Sequence, residues 1–190
     1  AAFDLDAPEG IGARLDSEGI SLVPGQHAEI CLALDPWIAA AASGLARGLV
    51  LFIDYGHPAP ALYDPDRGSL LRAYLHHRVH DDPYRNVGRQ DLTAHVDLTA
   101  VEHAMATAGL ERLGTTTQAE FLTGLGIGDL LVGLQDDPAG RLEGYLVARS
   151  ALTRLLDPRA TGRFSVLAYG RDLAAVPPLR GLAFRLTRRA

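Results

Sequence analysis

The sequence predicts an α/β layered fold, and two observations carry that expectation. Leu49-Val50-Leu51-Phe52-Ile53 is an unbroken apolar run that stops at Asp54-Tyr55-Gly56-His57-Pro58; it reads as a strand buried on both faces of a mostly parallel sheet. Helical and strand-like patterns then alternate along the chain, as in a sheet covered by helices. Such sheets place their chemistry at the carboxyl ends of the strands, so Asp54, Tyr55 and His57 mark the first place to look for a site. Gly56 and Pro58 turn the chain away there.

In chain order, Phe3-Asp4-Leu5 and Ile20-Ser21-Leu22-Val23 alternate with polar residues and read as short edge strands. Asp35-Pro36 gives an N-cap acid followed by proline at the first helical position; Trp37, Ile38, Ala41 and Leu45 form the apolar face and Gly48 closes the helix. Residues 49–53 are expected inside the sheet, parallel to most neighbours, with residues 164–169 antiparallel beside them; an exposed edge position would count against a methyltransferase assignment. Residues 69–79 read as a short helix with Leu70, Leu71, Tyr74 and Leu75 on one side. Asp97 starts a helix carrying Leu98, Val101, Met105 and Ala108 that ends at Gly109, and residues 110–117 form the next strand. Residues 119–122 make a helical turn, after which Gly124-Leu125-Gly126-Ile127-Gly128 is a loop. A third helix starts near Pro138, with Leu142, Tyr145, Leu146, Leu152 and Leu156 on one face, and stops at Asp157-Pro158.

The 47% hydrophobic content suits one globular domain over residues 1–190. A net charge of −5 with scattered arginines speaks against nucleic acid. All 18 basic residues are arginine, so lysine Schiff-base chemistry is excluded. Cys31 stands alone, which excludes an intrachain disulfide and thiol-rich metal sites and fits a reducing cytoplasm. No apolar stretch approaches the roughly 20 residues of a membrane-spanning helix. The opening Ala1-Ala2-Phe3 and the single methionine, Met105, read as a piece of a longer protein.

Polar residues gather after the apolar run. Five of the seven histidines fall between His57 and His95, and histidine is the side chain best suited to proton transfer near neutral pH. His76 and His80 are spaced i, i+4, so on a helix they would share a face, with Asp81 or His57 as a third metal ligand. The glutamate of a zinc-protease helix is missing. Asp97 reads first as the cap of the helix it precedes. Asp54, at the end of a buried strand, loses hydration and needs a partner. Neither a Gly-x-Ser-x-Gly elbow nor a phosphate-binding loop is present.

An ordered series of blocks resembles the MidA-like family of S-adenosylmethionine-dependent methyltransferases. The blocks are Leu51-Phe52-Ile53-Asp54-Tyr55-Gly56, Arg67-Gly68-Ser69-Leu70, Ala73-Tyr74, His77-Arg78-Val79, Asp81-Asp82-Pro83, Gly88 through Asp97, and Thr117 through Leu122. They span about residues 28 to 130. The family includes a mitochondrial assembly factor that methylates an arginine on a subunit of respiratory complex I. The resemblance implies a class I methyltransferase (Rossmann-like) mixed sheet whose first half carries a glycine-rich loop and an acidic residue for S-adenosylmethionine. This chain shows neither, so it is expected to supply the C-terminal part, with residues 63–92 as a helical insertion lining the substrate side. No cofactor-binding residue is assigned to it.

On this reading the enzyme methylates a protein side chain, arginine by analogy, with a respiratory-complex subunit as the implied partner. Asp54, His57 and His95 are the expected catalytic residues, the histidines taking up the released proton. Tyr55, Arg78, Asp81, Asp82, Gln90, Asp91, Thr93 and Asp97 are the expected substrate contacts, since a guanidinium is well held by carboxylates. The alternatives are a metal-dependent hydrolase using His76 and His80, and a non-catalytic assembly or interaction module.

Overall fold

The computed structural model describes residues 10–76, 78–135, 142–173 and 178–186. The expected strand at residues 3–5, His77 and the expected helix start at Pro138 lie outside them. In chain order the elements are α1 (Ile11–Ser17), α2 (Leu34–Ser43), β1 (Gly48–Asp54), β2 (Gly56–His57), α3 (Ala59–Leu62), β3 (Leu71–Leu75), β4 (Arg78–His80), β5 (Asp91–Ala94), β6 (Val96–Asp97) and α4 (Leu98–Thr107). Then come β7 (Glu111–Thr117), α5 (Gln118–Leu125), α6 (Ile127–Gln135), α7 (Leu142–Leu156), β8 (Ser165–Arg171) and α8 (Arg180–Ala183). They gather in two compact units. One holds the described residues up to Gly44 together with Gly56–Ala108, and the other holds Leu45–Tyr55 with the described residues from Gly109 onward.

In the first unit α4 behaves as its sequence dictates. Asp97 is the N-cap, its Oδ1 accepting a hydrogen bond from the Ala100 N–H at 3.0 Å, and Ala100, Val101, Ala104 and Met105 form the buried face. Packed on it, α2 buries Ile38 and Ala42. Three details of α2 differ from expectation. Its N-cap is Ala33, which places Asp35 in the first turn, where the carboxylate still faces the positive end of the helix dipole. Trp37 is 58% exposed, and the helix ends at Ser43, before Gly48.

The 63–92 segment holds no helix over residues 69–79. Instead β3 lies between β4 and β5 in an antiparallel sheet, with His76 at φ 49° in the β3–β4 turn. Residues 71–74 pair with Asp91–Ala94 and residues 73–75 with β4, and a local count of apolar positions cannot register the distant partner. Residues 20–23 are not a strand either; Ile20 and Leu22 pack as irregular chain on a core of Ala59, Leu62, Tyr63 and Leu70.

The second unit is built on an antiparallel sheet of order β1-β8-β7. Its centre is β8, whose Val166, Leu167, Ala168 and Tyr169 are at most 1% exposed. The expected antiparallel partnership of residues 49–53 with the late strand is therefore present, but among the described residues β1 is an edge strand without a parallel neighbour, not the interior, mostly parallel strand expected. Among the described residues it pairs on one side only, and Leu49, Leu51 and Ile53 are about half exposed. A doubly apolar run records that both faces avoid water; it does not say what covers the second face.

The β7–α5 junction carries a capping box. The Thr117 hydroxyl accepts from the Glu120 N–H, and the Glu120 carboxylate accepts from the Thr117 N–H at 3.3 Å. Gly126 closes α5 in the left-handed region at φ 92°, where a β-carbon would be strained. The glycine-rich run 124–128 is thus the end of α5 and the start of α6 rather than a loop. The expected apolar face of α7 contains no buried residue. Thr117→Ala removes one arm of the capping box, so the chain should lose about 1 kcal/mol in urea unfolding. An unchanged midpoint would show that the cap contributes nothing.

Candidate functional site

The chemistry-bearing residues converge in the first unit around a short parallel ladder in which Gly56 pairs with Val96 and His57 with Asp97. A β-carbon on Gly56 would collide with the Val96 carbonyl oxygen, so only glycine permits this approach. It brings the His57 and His95 rings to 5.5 Å between centroids and sets both beside Asp97 in sequence or register. A cavity of about 310 Å³ opens here, lined by His95, Asp97, Tyr63 and Arg14 together with apolar side chains such as Leu62 and Leu70.

Three residues of this group are absent from the sequence-based selection: Arg14, Glu18 and Tyr63. The Glu18 side chain is fully buried and stands 3.7 Å from Arg14 Nε. No donor reaches either Glu18 oxygen or Asp97 Oδ2 in ordinary hydrogen-bond geometry; the two carboxyls lie against each other, and the Tyr63 hydroxyl faces Asp97. Burial first, then the adjacent Asp97 carboxyl, push Glu18 from the ordinary 4.5 up to about 7; Arg14 opposes this and Asp35 adds to it. Burial, with Asp97 and Glu18 nearby, raises the Tyr63 hydroxyl well above its ordinary range. Arg14 is itself committed to Asp35, Nη2 to Oδ2 at 2.5 Å. The only trace of this in the sequence is the i, i+4 spacing of Arg14 and Glu18, which is also common on solvated helix faces.

The remaining selected residues are dispersed. Asp54 and Tyr55 belong to the second unit, where Asp54 Oδ1 accepts from the Tyr55 N–H at 2.7 Å and the Tyr55 ring meets Phe164 at 5.3 Å. On the 63–92 segment, Arg78 is exposed on β4, Asp81 pairs with Arg72 at 3.0 Å, and Asp82 accepts from the Tyr84 N–H. Gln90 donates to the Pro83 carbonyl, while Asp91 and Thr93 sit on β5 opposite Tyr74 and Arg72. His76 and His80 lie in a hairpin, so the shared helix face behind the hydrolase alternative does not exist. Among the described residues no three His, Cys, Asp or Glu side chains are placed to hold a metal, and no helix is long and apolar enough to cross a membrane.

A family described as "Putative S-adenosyl-L-methionine-dependent methyltransferase" matches residues 4–116. The chain belongs to that family. Two solved structures from Burkholderia thailandensis are similar to it. One, an uncharacterised protein, is 33% identical with a TM-score of 0.79, and the match covers 94% of this chain and 47% of that one. The other, described as a "likely methyl transferase" bound to S-adenosyl-homocysteine, is 34% identical with a TM-score of 0.77 over 96% of this chain and 45% of that one. This chain therefore spans less than half of each. No curated protein matches it. The edge position of β1 would by itself have counted against a methyltransferase; the family match outweighs it. As for the cofactor, the glycine-rich run of this family member joins two helices, α5 and α6, and does not form the strand-to-helix turn that a nucleotide-like group requires.

A buried acid whose folded pKa lies above its unfolded value stabilises the fold below the unfolded pKa, and that contribution is lost as pH rises through the folded one. For Glu18 the window runs from 4.5 to about 7. Unfolding of the first unit, read through Trp37 fluorescence, should become easier across that window. Glu18→Gln should flatten the dependence; an identical pH profile in the variant would show that Glu18 is not the titrating group.

Proposed function

We propose that this chain is the later part of a class I S-adenosylmethionine-dependent methyltransferase that modifies a protein side chain, with arginine as the acceptor. The reading rests on the family match together with the S-adenosyl-homocysteine-bound relative, which aligns with 96% of this chain. The edge of β1 that is unpaired among the described residues suits a sheet that continues past it in the whole protein, and the half-exposed Leu49, Leu51 and Ile53 suit a further layer over that face. The arginine acceptor and a respiratory-complex partner are supported by the MidA-like blocks alone.

The bound cofactor supplies an activated methyl group. What this chain contributes is the acceptor side, where transfer depends mainly on aligning the acceptor nitrogen. His57 and His95, adjacent in the first unit, take up the proton that the nitrogen releases, and Asp97 presents negative charge at the cavity wall. Asp54, at the end of β1, is a separate candidate from the sequence for fixing the acceptor in the whole enzyme.

Calorimetry with S-adenosyl-homocysteine tests the placement of the cofactor cradle. The 190-residue chain should bind at least about a hundredfold more weakly than the Burkholderia protein, a loss of about 2.7 kcal/mol. Equal affinity would move the cradle into this chain.

Asp54→Asn tests the acceptor role in the whole enzyme. Asparagine can still accept the Tyr55 N–H bond, so the melting temperature should hold. A cationic acceptor would lose a charge-assisted bond of about 1.5–3 kcal/mol, slowing methyl incorporation about tenfold to a hundredfold. Normal turnover would remove Asp54 from the site, and a lowered melting temperature with normal turnover per folded molecule would make it structural.

A further inference from the structure

The Glu18–Asp97 pair is not explained by the packing around it. The Glu18 side chain is fully buried at the C-cap of α1, beside the largely buried side chain of Arg14. The two Glu18 oxygens and Asp97 Oδ2 make no direct hydrogen bond of ordinary geometry; the two carboxyls face each other, with the Tyr63 hydroxyl against Asp97, and burying such groups is costly unless a proton or a cation meets them. The groups facing Glu18 are Arg14 from α1, Asp35 from α2, Tyr63 from the end of α3 and Asp97 at the start of α4. Arg14 is the single cation among three carboxylates, and its Nη2 is bound to Asp35. The other acid on the cavity wall, Glu29, is already satisfied by the Ser69 hydroxyl and the Leu70 N–H. The unmet negative charge is thus localised at Glu18 and Asp97, and Asp97 lines the cavity.

The rest of the cavity wall suits a particular kind of cation. Leu34, Leu62, Leu70 and Ala100 line it, and such a surface accommodates the methylene stem of a long cationic side chain while its head meets the charge. A planar guanidinium offers five donors in a fixed fork and can serve two neighbouring carboxylates at once, which an ammonium does less well. We propose that this cavity is the seat of the acceptor side chain and that the Glu18–Asp97 carboxylate pair is its counter-ion, exchanging a shared proton for an incoming guanidinium. The proposal rests on the arginine reading above and names the residues that would carry it. In the exchange no covalent bond to carbon changes: the cation enters, and the proton held between the two carboxyls leaves to solvent. The raised Glu18 pKa supports this, because a proton retained near neutral pH is available for release.

The probe is N-acetyl-arginine methylamide, titrated calorimetrically into the 190-residue chain without cofactor, in two buffers of different ionisation enthalpy. Binding should release up to about one proton near neutral pH and tighten from about pH 6 to about pH 8, as the pair loses its proton. Glu18→Gln, an uncharged isostere, should remove the proton release and weaken binding about tenfold or more, and Asp97→Asn, which keeps the helix cap, should weaken it similarly. Circular dichroism confirms that each variant is folded, and the wild-type proton count stands even if one is not. Absence of binding, binding without proton release, or equal binding of the norleucine analogue overturns the proposal; equal binding of the lysine analogue overturns its guanidinium specificity. Because no cofactor is present, these results are independent of methyl transfer. Arginine methylation by the whole enzyme with no dependence on Glu18 would sink this seat alone, whereas cation binding without any methyl transfer would sink the enzymatic reading alone.

Discussion

Between Gly56–His57 and Val96–Asp97 the two backbones run parallel so closely that Gly56 has room for nothing larger than hydrogen, and the layout of the first unit follows from that constraint. The ladder sets His57 opposite Asp97 and brings His57 against His95. It also delivers the chain to the start of α4 with Asp97 already in the capping position. One carboxylate then has two duties. Oδ1 satisfies the helix terminus, and Oδ2 is left facing Glu18 without a donor in ordinary hydrogen-bond geometry. Capping and charge presentation are usually weighed as rival explanations of such a residue; the two oxygens let both hold.

Two glutamates show how their surroundings decide the state of an acid that is wholly or partly buried. For Glu120, burial raises the pKa, but hydrogen bonds from the Thr116 hydroxyl, the Leu186 N–H and Thr117 more than offset it, and the carboxyl titrates below its ordinary value. This acid is a structural fastener and belongs to the fold. At Glu18 burial acts in the same direction, the neighbour is another carboxyl, and Arg14 offsets the two only in part. An uncompensated buried charge costs several kcal/mol, so the folded chain keeps Glu18 protonated into the neutral range. The difference lies in the surroundings, since the side chains are chemically identical.

The second unit is asymmetric in a way that bears on the family assignment. Its central strand β8 is covered on both faces, whereas β1 offers alternate apolar residues to solvent and a free edge among the described residues. Exposed apolar strands are hazards that proteins normally cover or blunt. The solved relatives are about twice as long as this chain.

Sequence alone determined what depends on near neighbours. Asp97 as an N-cap, α4 with Val101 and Met105 inward and the strand ending at Thr117 were legible, because caps and periodicity are set within a few residues. The family was legible too, since its blocks keep their order along the chain. Tertiary structure decided whatever depends on partners distant in sequence. Residues 71–75 became a strand because their partners include Asp91–Ala94, and that cancelled the helical His76–His80 pair. Ile20 and Leu22 found a core instead of a sheet. Above all, Glu18 looked like a solvated helix residue and became a buried acid, because burial and the approach of Asp97, seventy-nine positions away, are properties of the fold and leave no mark on the residues beside it.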